Sequence, residues 1–527
     1  MTAVVPPLRS HTKLAFGIGQ IGEGIQAAVF LMFLLFYYNQ VLGVPGTLCG
    51  VALALSLVFD AVTDPLIGNL SDSWRSRLGR RHPFMYAAAV PLGIGFFLLF
   101  NPPVTGDLAL FGWLLGMTIL CRGAMTLYHV PHSALGAELS QDYHERTVLV
   151  AMRHFFGALA FIGVFILAFF VYFVATDEYP NGQLNPAAYG PFSGWLAVAM
   201  AVSVWYSAFG TRSRVPYLPM AHPGDRFSLQ GLLSDTWRAL QNLSFRWVIV
   251  GFVIIIVAFG AAGALNMYML TFFWAFDASG IVVVLIAGPL GSMVGYLTAR
   301  WFYTVLDKKR GVVAGTAIWL GAHFLGVPLL LAGWLPAPGT GGLLIAVTLL
   351  SMLGAFGIAQ LLVGLGTMLA DIADEHELAT GRRQEGIFFG AFSLTNKSSA
   401  ALGSLIGGTV LDLISWPTGP AVRTAADVPW DTLVSLGVIW GPVSVLLAVP
   451  GVWCINRYSL DRERHREIQR RLGERRARHD EAASPEEPDT PWERARASEA
   501  RLARTQFAPD GESPTPSPTT LPSVPTE

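Results

Sequence analysis

Apolar runs of about 20 residues, separated by short polar or charged stretches, dominate the chain from residue 13 to residue 456. A window of about 19 residues picks out roughly twelve such runs. They lie near 13–42, 47–72, 83–101, 108–137, 148–175, 193–212, 244–275, 279–304, 311–333, 341–371, 385–414 and 431–456. Each is long enough to cross a bilayer core as a helix, and backbone in lipid must satisfy its own hydrogen bonds. The pattern predicts an all-α polytopic membrane protein.

The longest connection, 213–243, divides the runs into two sets of six, and Pro216, Pro219, Pro223 and Gly224 resist regular structure there. The expected organisation is a short segment 1–12, a six-helix half 13–212, the connection 213–243, a second half 244–456, a charged helix 457–482 and a disordered tail 483–527. That tail is rich in Pro, Ser and Thr. Two halves of six suggest a transporter built from repeats.

Composition agrees. The chain has 527 residues, 53% of them hydrophobic and 13% charged, where soluble domains carry about 25% charged residues. Its few charges are segregated. Arg75, Arg77, Arg80 and Arg81 follow span 2, Arg212 and Arg214 follow span 6, Lys308, Lys309 and Arg310 follow span 8, and Arg382 and Arg383 follow span 10. The intervening connections lack Lys and Arg, except for Arg423 in 415–430. Loops with Lys and Arg face the cytoplasm, so both termini are expected inside a plasma (inner) membrane. The apolar run after Lys13 is too long for the core of a cleaved leader. Cys49, Cys121 and Cys454 are scattered singly, without metal or disulfide spacing.

The embedded charges carry the chemistry, since an ionisable group in a span is costly to insert and functional by default. Asp60 and Asp64 stand one turn apart on one face of span 2. Like charges that close cannot both ionise cheaply, so either a cation sits between them or one keeps a proton. The expected ligands of H+ or Na+ are therefore Asp60 and Asp64, with Thr63 beside them as a further oxygen. Lys397, one of four lysines and the one well inside a span, needs an acidic partner, and the span 2 carboxylates are the candidates. In span 4, Arg122, Thr126, His129 and Ser133 share one helical face, and Pro131 is expected to interrupt that helix. Arg122 suits an anionic substrate group or a pair with Glu23. Glu23, Arg122, His129 and Arg153 form the expected substrate site. His323 in span 9 reads as packing. Asp72 with Arg75, Arg77, Arg80 and Arg81, and Asp371 with Arg382 and Arg383, read as a cytoplasmic gate of ion pairs that break when that side opens.

Two stretches, "FDAVTDPLIGNLSDSWRSRLGRRHPF" and "MLADIADEHELATGRRQEGIFFGAFSLTNK", resemble the glycoside–pentoside–hexuronide:cation symporter family of the major facilitator superfamily. The resemblance spans roughly residues 12–460 and implies the major facilitator fold, with 12 transmembrane helices in two six-helix halves. It places the family's paired cation-site aspartates at Asp60 and Asp64, its helix IV threonine at Thr126 and its helix XI lysine at Lys397. The sugar site departs from the melibiose-type carriers: Gly24, with Glu23 beside it, and His129 stand where those carriers have sugar-binding aspartates, and Ser133 and Leu361 replace aromatic residues. The reading is a symporter of a small organic solute, a sugar, glycoside or uronide-like compound, acting as a monomer in the bilayer. It involves no nucleic acid and no cofactor beyond the coupling ion, H+ or Na+. A polytopic enzyme, a membrane sensor, and within transport a lipid or other anionic-solute carrier, are the alternatives.

Overall fold

The computed structural model describes residues 8–140, 142–218, 229–381, 385–419, 422–460 and 462–482. Twelve long helices run through them: α1 Ser10–Met32, α2 Gly46–Ser73, α3 His82–Leu99, α4 Asp107–Glu138, α5 Glu145–Tyr172, α6 Pro186–Tyr217, α7 Leu243–Phe273, α8 Ala278–Leu306, α9 Lys308–Leu331, α10 Gly341–Thr380, α11 Glu385–Leu413 and α12 Trp430–Asn456. Eleven are long and apolar enough to cross a membrane. The other, α11, has 29 residues but carries Lys397 and a run of Ser, Thr and Gly. At 1.5 Å per residue, α2 is about 42 Å long, ample for a hydrocarbon core of about 30 Å. Pro65 lies within α2 and Pro131 within α4, and both helices continue past them. The expected break at Pro131 is absent, because one lost backbone bond is tolerated where neighbouring helices pack on both sides.

The connection between the halves also differs from expectation. After the prolines, Leu229–Gln241 forms an amphipathic helix, made possible by the proline-free stretch "LQGLLSDTWRALQ". The charged segment near the end is helical over Arg462–Ala482. There Glu467 meets Arg470 and Arg471 at one-turn spacing, at 2.8 and 2.5 Å. The expected disordered tail 483–527 and the gate residues Arg382 and Arg383 lie outside the described residues.

Several hydrogen bonds join the two halves at the arginine-poor end. Tyr268 Oη donates to Asn39 Oδ1 at 2.7 Å, Trp416 Nε1 to Gln40 Oε1 at 2.6 Å, and Gln183 Nε2 to Thr271 Oγ1 at 2.5 Å. Phe36 stacks edge-on against Tyr268. Here α2 and α11 come so close that a Cβ added at Gly408 would meet the Gly46 carbonyl oxygen at 2.2 Å. The first turn of α2 has no side-chain cap of its own. Asp412 of the other half supplies one, accepting from the Gly46 and Thr47 amides at 2.7 Å each, where a carboxylate also favours the helix dipole.

At the arginine-rich end the ionic contacts brace each half internally. Arg81 lies 2.5 Å from Asp72 and 2.8 Å from Glu138, and Arg80 lies 2.7 Å from Glu138. This ties α2, α3 and α4 together. Arg75 and Arg77 are exposed in the turn. In the second half Lys308 Nζ donates to both oxygens of Asp371 at 2.7 Å, joining α9 to α10. The expected gate residues Asp72, Arg80, Arg81 and Asp371 thus pair within their own halves.

Asp412→Ala removes a cap worth about 1 kcal/mol from the arginine-poor closure. Spin labels at Leu42 and Thr418 should then report a second, longer separation by pulsed electron resonance. A distribution unchanged from the parent would show that this contact does not hold the halves together.

Candidate functional site

Midway along α2 the two carboxylates project toward α4 and α11. Thr126 Oγ1 of α4 lies 3.0 Å from Asp60 Oδ1 and 3.0 Å from Asp64 Oδ1. A hydroxyl has one proton, so it donates to one oxygen at a time and is shared between them. The second oxygens face the other half. Lys397 Nζ donates to Asp60 Oδ2 at 2.8 Å and also to Asp64 Oδ2. One ammonium therefore bridges both carboxylates.

Arg122 completes this cluster. Its Nη1 lies 3.7 Å from Asp60 Oδ2, its Nε donates to Ser56 Oγ at 3.1 Å, and its guanidinium sits over the Phe30 ring. With both aspartates ionised, two negative charges meet two positive ones, which is the balance a buried site requires. Asp60 is 16% exposed and Asp64 27%, so both carboxylates are partly buried and still accessible. Pro65 has no N–H and leaves the Ala61 carbonyl without its helical donor beside the cluster. Thr63 points elsewhere. Its hydroxyl donates to the Asp60 carbonyl of its own helix at 3.3 Å, and adjacent residues such as Thr63 and Asp64 do not face each other on a helix.

A second polar cluster lies three residues further along α4, about 4.5 Å by helical rise. His129 Nδ1 meets Glu23 Oε2 of α1 at 2.6 Å. Arg153 Nε of α5 donates to Gln20 Oε1 at 2.8 Å. A pocket of about 310 Å³ is lined by Gln20, Glu23 and Arg153. The expected substrate residues therefore divide: Glu23 and Arg153 line this pocket, His129 reaches it only through its contact with Glu23, and Arg122 belongs to the carboxylate cluster. Arg122 lies against Asp60 and Ser56 of α2, not beside Glu23. Ser133, the last polar residue on that face of α4, has a buried hydroxyl with no hydrogen-bond partner among the described residues. Gly24 marks the close approach of α1 and α5, where an added Cβ would meet the Gly157 carbonyl oxygen at 2.5 Å. A larger side chain has no room there.

Sequence reasoning missed Ser56, Phe30 and Gln20, which are common residue types made significant only by their neighbours. It also read His323 as packing. Its Nε2 meets the Trp440 carbonyl oxygen at 2.9 Å, and the ring lines a further cavity, of about 370 Å³, with Trp274, Trp319 and Trp440. Those polar and aromatic companions come from other helices, so no local pattern announced them.

The family profile described as "MFS/sugar transport protein" matches residues 15–462. The "Uncharacterized symporter sll1374" of Synechocystis sp. is 25% identical, the alignment covering 88% of this chain and 97% of that protein. The "Isoprimeverose transporter" of Lactiplantibacillus pentosus is 22% identical, covering 82% of this chain and 85% of the relative. Among solved structures, the nucleoside transporter NupG shares the fold, with a TM-score of 0.58 at 16% identity over 86% of this chain and 100% of that one. With a match across both helical halves, the chain belongs to the MFS/sugar transport family, an all-α transporter fold of the major facilitator type.

Proposed function

We propose that this protein is a secondary symporter, coupling movement of a small organic solute of the sugar or glycoside class to H+ or Na+ by alternating access. The relatives named as a symporter and as an isoprimeverose transporter support that class. Membership of a transport family sets aside the polytopic-enzyme reading. The observation that carries the proposal is the sharing of Asp60 and Asp64 between Thr126 of one half and Lys397 of the other.

The mechanism follows from charge balance. A Na+ entering the cluster adds a positive charge to a neutral set, so Lys397 must leave. A proton on either aspartate removes the negative charge that holds Lys397, with the same result. Binding of the ion therefore releases the ionic tie that Lys397 makes between α11 and α2. Hard cations prefer oxygen ligands, and Asp60, Asp64 and Thr126 provide them. The solute pocket at Glu23 and Arg153 is tied to α4 through the His129–Glu23 contact, and α4 also carries Thr126 of the ion site, so a shift of α4 couples ion and solute. Thermodynamic linkage makes the coupling reciprocal. A potential of about 100 mV contributes roughly 2.3 kcal/mol per charge moved.

The positive-inside rule sets the arginine-rich end in the cytoplasm of the plasma membrane. The arginine-poor end, sealed by Asn39, Gln40, Asp412 and their partners, is then the outer gate in its closed state. The pairs of Arg80, Arg81 and Glu138, and of Lys308 and Asp371, stabilise each half while the inner side is open.

In proteoliposomes, Asp60→Asn should abolish uphill accumulation of a transported glycoside under either a Na+ or a proton gradient, with downhill counterflow retained. Gradient-driven accumulation by the variant at the parent level would overturn the coupling role. Lys397→Met removes the tethered competitor, and cation binding measured by calorimetry should tighten by at least about tenfold, roughly 1.4 kcal/mol. Weaker binding in that variant would mean that the lysine assists the ion rather than opposing it.

A further inference from the structure

The solute pocket at Glu23 and Arg153 does not end at the first half. Phe161 of α5 and Pro289 of α8 line it and also line the cavity of about 370 Å³ in the second half. The two spaces therefore adjoin, and they differ in chemistry. The first presents a carboxylate, a guanidinium and an amide. The terminal nitrogens of Arg153 have no hydrogen-bond partner among the described residues, only its Nε being engaged, by Gln20. Donors and acceptors placed side by side match the adjacent hydroxyls of a pyranose ring.

The second space is walled by aromatic and aliphatic side chains. Trp274 and Trp319 are nearly fully buried, and Trp440 packs against His323 with ring centroids 3.8 Å apart. The Trp440 indole donates to the Ala262 carbonyl oxygen at 3.1 Å and His323 is bonded to the Trp440 carbonyl oxygen, so the polar atoms of these two rings are engaged within the protein. Asn266, Ser292 and Ser351 are the other polar residues of the lining, and the Ser292 hydroxyl donates to the Ala355 carbonyl oxygen at 3.3 Å. The Asn266 amide Nδ2 donates to the Met32 sulfur at 3.8 Å, a weak acceptor that leaves most of its hydrogen-bonding capacity for a ligand. A hydroxyl buried here without a partner costs roughly tenfold in affinity, and a second sugar ring would bring several. An apolar ring, in contrast, gains from leaving water and from offset stacking on tryptophan. The volume falls within the range of about 300–1,000 Å³ typical of ligand pockets.

We propose that the transported solute is a glycoside with an apolar aglycone, its sugar ring held at Glu23, Gln20 and Arg153 and its aglycone seated in the adjoining cavity against Trp440. This rests on the transport reading above and specifies its substrate class. The preference is for an aryl or alkyl glycoside over the free sugar and over a fully hydroxylated disaccharide.

Gly288 offers a clean test. It lines the cavity, and a Cβ added there meets nothing within 4 Å. The full-length protein in nanodiscs, free of glycoside detergent, is titrated calorimetrically with glucose, galactose, xylose and glucuronate, and with the phenyl glycoside of each. At least one phenyl glycoside should bind ten or more times tighter than its parent sugar. In Gly288→Leu, which fills the cavity, that ratio should fall to within about twofold of unity, and in Gly288→Ala it should persist. Equal affinity for the two series, a ratio unmoved by Gly288→Leu, or no binding by either series overturns the proposal. The unliganded melting temperature of both variants reports folding, and the Gly288→Ala arm decides the matter should Gly288→Leu misfold: a ratio that collapses there too counts against the cavity. Coupled accumulation without the aglycone preference rejects this inference alone, whereas uphill transport by Asp60→Asn rejects the coupling reading instead.

Discussion

Two carboxylates one helical turn apart within the span of a membrane protein repel each other, partly buried as they are, and the structure is organised around that cost. Asp60 and Asp64 share the Thr126 hydroxyl on one side and the Lys397 ammonium on the other, with Arg122 close behind Asp60. Removing one member of such a cluster leaves a buried charge uncompensated, which is strongly destabilising, while the intact cluster contributes little net stability. Its value lies in having two arrangements, since Lys397 belongs to the opposite half and an incoming cation can replace it.

Other contacts between the halves fit this view. At the arginine-poor end they are neutral or capping hydrogen bonds, close glycine packing and one solvent-exposed ion pair: Tyr268 to Asn39, Trp416 to Gln40, Asp412 to the start of α2, Gly46 against Gly408, and Arg423 to Glu178. Each contributes about 1 kcal/mol or less, so a few together can be exchanged for an alternative set on the opposite face at modest cost. The stronger ionic contacts, Arg81 with Asp72 and Glu138 and Lys308 with Asp371, lie within a half. Rigid halves joined by individually weak, replaceable contacts are what alternating access requires.

The two solute-facing spaces extend the same division. The first half supplies charged and amide groups at Gln20, Glu23 and Arg153, and the second supplies a mainly apolar wall that includes Trp440. A ligand that needs both would bridge the halves and favour the conformations in which they approach, as linkage demands. Gly24 and Gly157 contribute by letting α1 and α5 touch backbone to backbone, which leaves position 24 no side chain to offer a sugar.

The sequence by itself determined the helical membrane architecture, the division into halves and the existence of a paired-carboxylate site, because each follows from local quantities. Hydropathy over about 20 residues reports a span, and four-residue spacing puts Asp60 and Asp64 on one face. Lys397 was legible as their partner because a lone buried ammonium demands an acid. Only the tertiary structure decided the rest. Thr63 and Arg122 each lie within a turn of a site residue in the chain, yet the hydroxyl of Thr63 turns to its own backbone and Arg122 joins Asp60 rather than Glu23. The tryptophan cavity is lined from α7, α8, α9, α10 and α12, with its three tryptophans far apart in the chain. Its recognition depends on how helices far apart in the chain are packed, information that no periodicity within one helix contains.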